Sequence, residues 1–298
     1  MSKQKQVNIY IFGEVLFDCF PTGEQVLGGA PFNVAWHLQA LGDSPQLISR
    51  VGKDQHGDRI LQAMSGWGLK TSAIQVDSTH PTGRVEVSIT DNEPSYTIVP
   101  DSAFDFISLP DPGGFSSGGI LYHGSLSLRN ETSRKTLLEI VHSHKVKIFF
   151  DVNLRFPWWH RDEVCEWLKN ATWVKMNQDE LTALSNHQGS DIQLQMAEMQ
   201  ETYGQEQLIV TRGEQGALIR TAAGKFHSLV PGKVACLIDT VGAGDAFSAI
   251  YLHALRGGWS IEKTLYHAQC FAGKVVGLRG ATTNDPEFYQ QVTDSCNF

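Results

Sequence analysis

VNIYIFGEVLFDCFPTGEQVLGGAPFNVAWHLQALG, residues 7–42, decides how the fold is read. Its first six positions form a short, mostly apolar run with β-branched and aromatic side chains that stops at Gly13, the pattern of a buried strand. PFNVAWHLQALG (31–42) instead spaces its apolar residues for a helix, with Pro31 in the first turn and Gly42 as the stop. Strand then helix repeats outward from there. PQLISRVG (45–52) precedes GDRILQAMSGWG (57–68). KVKIFFDVN (145–153), DEVCEWLKN (162–170), TWVKMN (172–177), LQMAEMQETYG (194–204) and EQLIVTRG (206–213) continue the alternation, and helical patterns cover 243–256 and 260–277. Strands that read as continuous apolar runs between helices predict an α/β fold: a doubly wound, mostly parallel sheet with helices on both faces.

One region breaks this rhythm. GRVEVSIT (83–90), DNEP and SYTIVP (95–100) alternate polar and apolar residues around a proline-bearing turn, which predicts an antiparallel hairpin with one face uncovered by helices. Inserted into a doubly wound domain, such a hairpin is a candidate lid. PDPGGFSSGG (110–119) is flexible in composition but too short to separate domains, so residues 1–298 are read as a single domain.

Composition narrows the partners. With 298 residues, 41% of them apolar and 19% charged, the chain can build a sizeable core. A formal net charge of −8 gives no general attraction to nucleic acid or to anionic membranes. No stretch approaches about 18 apolar residues, and the run after the basic start breaks at Gly13-Glu14, too early for a signal-peptide core. Cys19, Cys165, Cys236, Cys270 and Cys296 are scattered, without C-x-x-C spacing, and read as reduced thiols of a cytoplasmic protein. Several frequent signals are missing: G-x-x-x-x-G-K-[ST], H-E-x-x-H, G-x-S-x-G and any Cys/His cluster with metal spacing. The Gly242/Gly244 pair lacks the third glycine of a dinucleotide fingerprint and lies far from the first strand.

The candidate chemistry lies in DTVGAGD (239–245), which opens an apolar helix. Small residues at 242–244 let the backbone turn sharply and let a ligand approach its N–H groups, and the helix directs the positive end of its dipole to the same point. That suits an anion. Asp245, in the first helical turn, would oppose an anion unless it removes a proton from a group attacking it, which is the layout of phosphoryl transfer to an alcohol. Taken alone, the segment is more often a glycine turn with an aspartate cap. Asn177 and Glu180 in MNQDE (176–180) likewise form a capping box. TRGEQGA (211–217) is a tight turn between two strands, and Asn33 is a polar residue on a first helical turn.

Taken together these segments form a pattern. DTVGAGDAF resembles the C-terminal signature of the ribokinase-like (PfkB) carbohydrate kinase family, and GEVLFD (13–18) with GGAPFNVAWHLQALG (28–42) resembles its N-terminal signature. MNQDE is similar to the family's N-x-x-E and TRGEQGA to its T-x-G-x-x-G nucleotide turn, so the resemblance runs in order from residue 13 to about 281. It implies an ATP-dependent sugar kinase in which Asp245 is the base and the N–H groups of Gly242, Ala243 and Gly244 form the anion hole. Asp18, Gly28, Gly29 and Asn33 would hold the sugar, and Asn177, Thr211, Gly213 and Gly216 the nucleotide. Glu180 would organise Mg²⁺ through water, and Asp239 with the carbonyl of Val241 match positions that bind a monovalent cation, K⁺, in family members. Residues 14–32 and 82–107 would form the lid, whose exposed edges invite a homodimer.

GGAPFNVAWHL and DVNLR (151–155) look closest to the fructokinase branch, with Arg155 facing either the ligand or solvent. Kinases of 2-keto-3-deoxygluconate carry an arginine in a Tyr-x-Arg-x-x-Ser-Ala-like segment. Here YTIVPDSA (96–103) has Val99 at that place, which argues for a neutral sugar, D-fructose, over the sugar acid; ribose and nucleoside acceptors, or a sugar-binding regulator without activity, are the alternatives. Phe104 and Phe106 would cover the sugar or pack in the core, and Phe32 stands where many fructokinases carry a small residue.

Overall fold

Ile9 and Ile11 enter one hydrophobic core while Tyr10 and Phe12 enter another, as expected of a strand buried on both faces. The computed structural model describes residues 7–90, 93–110, 118–186, 189, 191–230 and 238–296. The elements in chain order are β1 (Ile9–Phe12), β2 (Leu16–Cys19), β3 (Gln25–Gly28), α1 (Ala30–Ala40), β4 (Gln46–Gly52), α2 (Gln55–Gly66), β5 (Ile74–Asp77), β6 (Gly83–Thr90) and β7 (Glu93–Ile98). Then follow β8 (Ile120–His123), α3 (Glu131–His144), β9 (Lys147–Asp151), α4 (Arg161–Asn170), β10 (Trp173–Asn177), α5 (Gln178–Leu184), α6 (Ile192–Tyr203) and β11 (Gln207–Thr211). The chain closes with β12 (Ala217–Thr221), β13 (Phe226–Leu229), α7 (Ala243–Gly257), α8 (Ile261–Val275) and α9 (Pro286–Cys296).

The large sheet runs β13-β12-β11-β10-β9-β8-β1-β4-β5 and is parallel from β11 to β5, with β12 and β13 added antiparallel. One core, against α1, α7 and α8, takes Ile9, Ile11, Tyr122, Phe149, Trp173 and Ile209. The other, against α3 to α6, takes the intervening strand residues, among them Tyr10, Phe12, Phe150 and Val174. The chain runs outward from β1 through β4 to β5, then returns to β8 on the other side of β1 and runs outward again. The crevice beyond the carboxyl ends of β1 and β8 is therefore the switch point, where such sheets take their ligands.

The expected hairpin is present as β6 and β7, although its second strand spans 93–98 rather than 95–100. The strand ends early because the Val99 carbonyl accepts Ser102 Oγ (3.0 Å) and Arg129 Nη2 (2.8 Å), which turn the chain into a short 3₁₀ segment at 103–106. Nor does the hairpin stand alone. β2 pairs with β6 in parallel and with β3 antiparallel, giving a second, four-stranded sheet. Beneath it Phe104 packs with Leu16, Val85, Ile98 and Leu126, so of the two readings for this ring core packing holds. Phe106 stacks on His80 with ring centres 3.7 Å apart. Of the flexible-looking stretch, residues 111–117 lie outside the described residues. Cys19 and Cys165 are free thiols but Cys270 is disulfide-bonded, which corrects the reading of all five as thiols, since spacing along the chain does not reveal pairs made by folding. No described helix is long and apolar enough to cross a membrane.

Phe104 also meets Gly83, where a Cβ would lie 2.6 Å from its ring. Phe104→Ala is expected to lower unfolding free energy by about 3–5 kcal/mol in urea titration; a loss below about 1 kcal/mol would mean that the small sheet closes without this side chain.

Candidate active site

The turn before α7 requires glycine. Gly242 is its N-cap with φ +82°, and a Cβ there would collide with Ala281. Ala243 and Gly244 follow as the first helical residues, whose N–H groups have no acceptor within the helix. Below them lies a buried polar cluster. Asp151, at the end of β9, accepts Lys175 Nζ at 2.9 and 2.8 Å, Ser248 Oγ at 2.7 Å and Tyr122 OH at 3.2 Å. Ser248 also contacts the Gly244 carbonyl oxygen at 3.0 Å, and a Cβ on Gly244 would lie 3.3 Å from Lys175 Nζ. Three strands thus hold the start of α7 over their carboxyl ends. Sequence reasoning passed over Lys175, Ser248 and Tyr122; the available signal was a lysine inside the otherwise apolar strand WVKMN.

Asn33 and Asp245 lie 212 positions apart, yet Asn33 Nδ2 donates to Asp245 Oδ2 at 2.8 Å. Asn33 is carried by the first turn of α1, whose N-cap Gly29 has φ +107°; a Cβ at Gly29 would lie 2.7 Å from the Glu14 carbonyl oxygen. Gly28, at the end of β3, faces Asp18 on β2, its would-be Cβ 3.4 Å from Asp18 Oδ2. Burial pushes Asp245 up to about 6; the Asn33 hydrogen bond opposes this, Asp151 adds to it, and Lys175 and Arg155 lower it. Asp18 is pushed up to about 6 by burial, against the charge of Arg155 and with that of Asp239. Arg155 is solvent-exposed beyond β9, and its charge acts on both carboxylates, so it borders the same crevice. Phe32 turns away: it is fully buried in the core against Trp36, with ring centres 5.4 Å apart.

Asn177 and Thr211 are register partners at the ends of β10 and β11, one step along the same sheet edge. The capping box is real. Asn177 Oδ1 accepts the Glu180 N–H and Glu180 Oε2 the Asn177 N–H, both at 2.8 Å, while Glu180 Oε1 accepts the Leu154 N–H at 2.8 Å. Burial raises Glu180 and these donors oppose the shift. Gly213 and Gly216, with φ +53° and +83°, make the turn from β11 to β12, closed by Arg212 N–H to the Gly216 carbonyl at 2.8 Å. Asp239 accepts the N–H groups of Val241 (2.9 Å) and Gly280 (3.3 Å). Among the described residues no three His, Cys, Asp or Glu side chains converge to hold a metal. A divalent ion at Glu180 therefore fits only with most of its ligands drawn from phosphates and water, the usual habit of Mg²⁺. A monovalent ion at Asp239 fits only with carbonyl ligands.

A glycine turn at a helix N-terminus, a carboxylate beside it and an amide holding that carboxylate thus meet in one crevice. The profile of the pfkB family carbohydrate kinases matches residues 10–287. The chain belongs to this family. Fructokinase of Salmonella typhimurium is 31% identical to this kinase, over 93% of its chain and 96% of the relative. The same fold occurs in fructokinase of Vibrio cholerae O395 in its fructose-, ADP- and calcium-bound form (TM-score 0.81, 24% identity, 96% of this chain and 98% of that one). It occurs too in aminoimidazole riboside kinase of Salmonella enterica with aminoimidazole riboside and an ATP analogue (TM-score 0.81, 25% identity, 96% and 99%).

A carboxyl raised to about 6 burdens the folded kinase when ionised, above about pH 6, and not when protonated in both states, below about pH 4. Asp245→Asn is accordingly expected to melt higher than wild type at pH 8, the gap closing as pH falls to about 4, in scanning calorimetry. An equal gap at both pH values would contradict the burial of this charge.

Proposed function

We propose that this kinase transfers the γ-phosphoryl group of ATP to D-fructose, giving fructose 6-phosphate. The Asn33–Asp245 hydrogen bond carries the reading, because it joins the sugar-side helix to the residue beside the anion turn. An amide that donates to the carboxylate fixes the orientation of the base while its own oxygen stays available to a hydroxyl. Fructose is preferred on the kinship with Salmonella fructokinase and on Val99, where an arginine would suit a sugar acid.

Asp18, Gly28, Gly29, Asn33 and Arg155 hold the sugar. Asp245 accepts the proton of the attacking hydroxyl; raised to about 6, it is ionised at neutral pH yet a stronger base than an ordinary aspartate. The N–H groups of Gly242, Ala243 and Gly244 and the α7 dipole stabilise the charge of the transferring phosphoryl. Asn177, Thr211, Gly213 and Gly216 face the nucleotide. Glu180, through water, and the nucleotide phosphates would hold Mg²⁺, which would supply charge neutralisation there, and Asp239 with the Val241 carbonyl would offer a place for K⁺. The small sheet, with residues 14–32 and 82–107, acts as the lid that keeps water from the phosphoryl group. Its edge strands β3 and β7, the latter with exposed Tyr96, offer pairing to a second copy and hence a homodimer. The need for ATP assigns the reaction to the cytoplasm.

In a coupled ADP-release assay fructose is expected to give the highest kcat/KM among fructose, ribose, 2-keto-3-deoxygluconate, tagatose, fructose 1-phosphate, adenosine and aminoimidazole riboside. Asp245→Asn should lower fructose turnover by about 10²–10⁴-fold with the fold retained. Any other acceptor ranking well above fructose refutes the substrate; sugar binding without ADP release points to a sugar-binding regulator; near-normal turnover in the variant removes Asp245 from the chemistry.

A further inference from the structure

Glu14 follows β1 at the switch point of the large sheet, in the crevice that takes the sugar under the function proposed above, and none of the roles assigned so far uses it. It is 2% exposed. Its own backbone N–H lowers the acid's pKa somewhat, whereas Oε2 is buried without a hydrogen-bond partner among the described residues. A buried carboxylate oxygen left without a donor is costly, and native structures retain one where a ligand, an ion or an ordered water completes it or where it serves chemistry.

Its surroundings point to that ligand. The Glu14 carbonyl abuts Gly29, the N-cap that presents Asn33, and Asn33 Oδ1 is itself buried without a partner although its Nδ2 is held by Asp245. The two residues that carry these unpartnered acceptors thus adjoin Gly29, Glu14 through its backbone and Asn33 on the helix that Gly29 caps, and what both acceptors lack is a donor. The nearby cations do not supply one. Arg129 gives Nε and Nη2 to Asp105, each 2.7 Å from a carboxylate oxygen, and its Nη1, buried without a partner, bonds neither acceptor; among the described residues Arg155 bonds the Leu154 carbonyl, at 3.4 Å. Both act on Glu14 through charge alone, as does Asp245, while burial pushes the group up to about 7.

We propose that Glu14 is a specificity-determining residue of the sugar site, its Oε2 accepting one hydroxyl of a neutral polyhydroxy acceptor and, with Asp18 and Asp245, disfavouring acceptors that carry a carboxylate. A hydroxyl supplies the missing donor, whereas an anionic sugar would bring its charge beside Asp18 and Asp245, ionised at neutral pH, and Glu14, partly ionised there. Sites that hydrogen-bond a substrate hydroxyl discriminate strongly against analogues lacking it, because the buried group is then left unpaired.

The test is calorimetric binding, so that it does not depend on turnover, which judges the kinase reading separately. Fructose and its 1-deoxy, 3-deoxy and 4-deoxy analogues are titrated into wild type, Glu14→Gln and Glu14→Ala, with an ATP titration as control and melting curves as the check on folding. Expected are a fall in fructose affinity of about 10- to 100-fold in both variants, ATP affinity within about twofold, and one deoxy analogue bound equally by all three proteins because it lacks the hydroxyl that Glu14 reads. Fructose affinity unchanged within about twofold overturns the proposal, as does an equal loss for every analogue or a parallel loss for ATP. Failure of Glu14→Gln to fold would make the carboxylate a structural group and overturn it as well.

Discussion

Asp151 accepts four hydrogen bonds, two from Lys175 and one each from Tyr122 and Ser248, and in doing so ties β8, β9 and β10 to α7. Such a cluster is costly to bury unless every member is satisfied, and removing one member of a buried pair typically costs about 3–5 kcal/mol. Its return here is positional. Ser248 reaches the Gly244 carbonyl and Lys175 lies under Gly244, so the first residues of α7 are fixed relative to the carboxyl ends of the central strands. Asp245 then meets Asn33 on α1, so the turn at 242–244 and the Gly28–Gly29 pair border one crevice.

That crevice is not built for stability. Glu14, Asp18 and Asp245 are all raised by burial, Glu14 to about 7 and the other two to about 6, and the exposed Arg155 lowers each of them. Three acids near one arginine strain the folded state at neutral pH, and under the proposed function that strain supplies a base that is ionised yet proton-hungry and acceptors for hydroxyls. The small sheet, held from below by Phe104 and by the Arg129–Asp105 pair, forms part of the same crevice through Asp18 and Gly28.

Much of this was legible in the sequence. The parallel sheet followed from apolar runs such as VNIYIF and EQLIV, because a strand covered on both faces has no polar side to show. The glycines at 29 and 242 were legible because each sits where only glycine fits. Shorter elements were not: β2 and β3, four residues each around a Pro-Thr-Gly turn, carry too little periodicity to be recognised, and β2 gains its pairing from β6 and β3 from β2. Asp151, Lys175, Tyr122 and Ser248 were invisible as a group because buried polar clusters are assembled from distant positions, each of which alone looks like an ordinary strand or helix residue. Phe32 and Phe104 carried no sign in sequence of which side they would face; packing, not spacing, turned both into the core.

Under the proposed function α7 presents its first N–H groups to a phosphoryl group lying between the nucleotide and a sugar hydroxyl held at Asp245. A crystal structure with ADP, Mg²⁺, fructose and aluminium fluoride tests it most directly. The fluoride complex is expected within hydrogen-bond distance of the N–H groups of residues 242–244, with a fructose hydroxyl oxygen between it and the Asp245 carboxylate. A fluoride complex bound away from α7, or a fructose with no hydroxyl near Asp245, would contradict it.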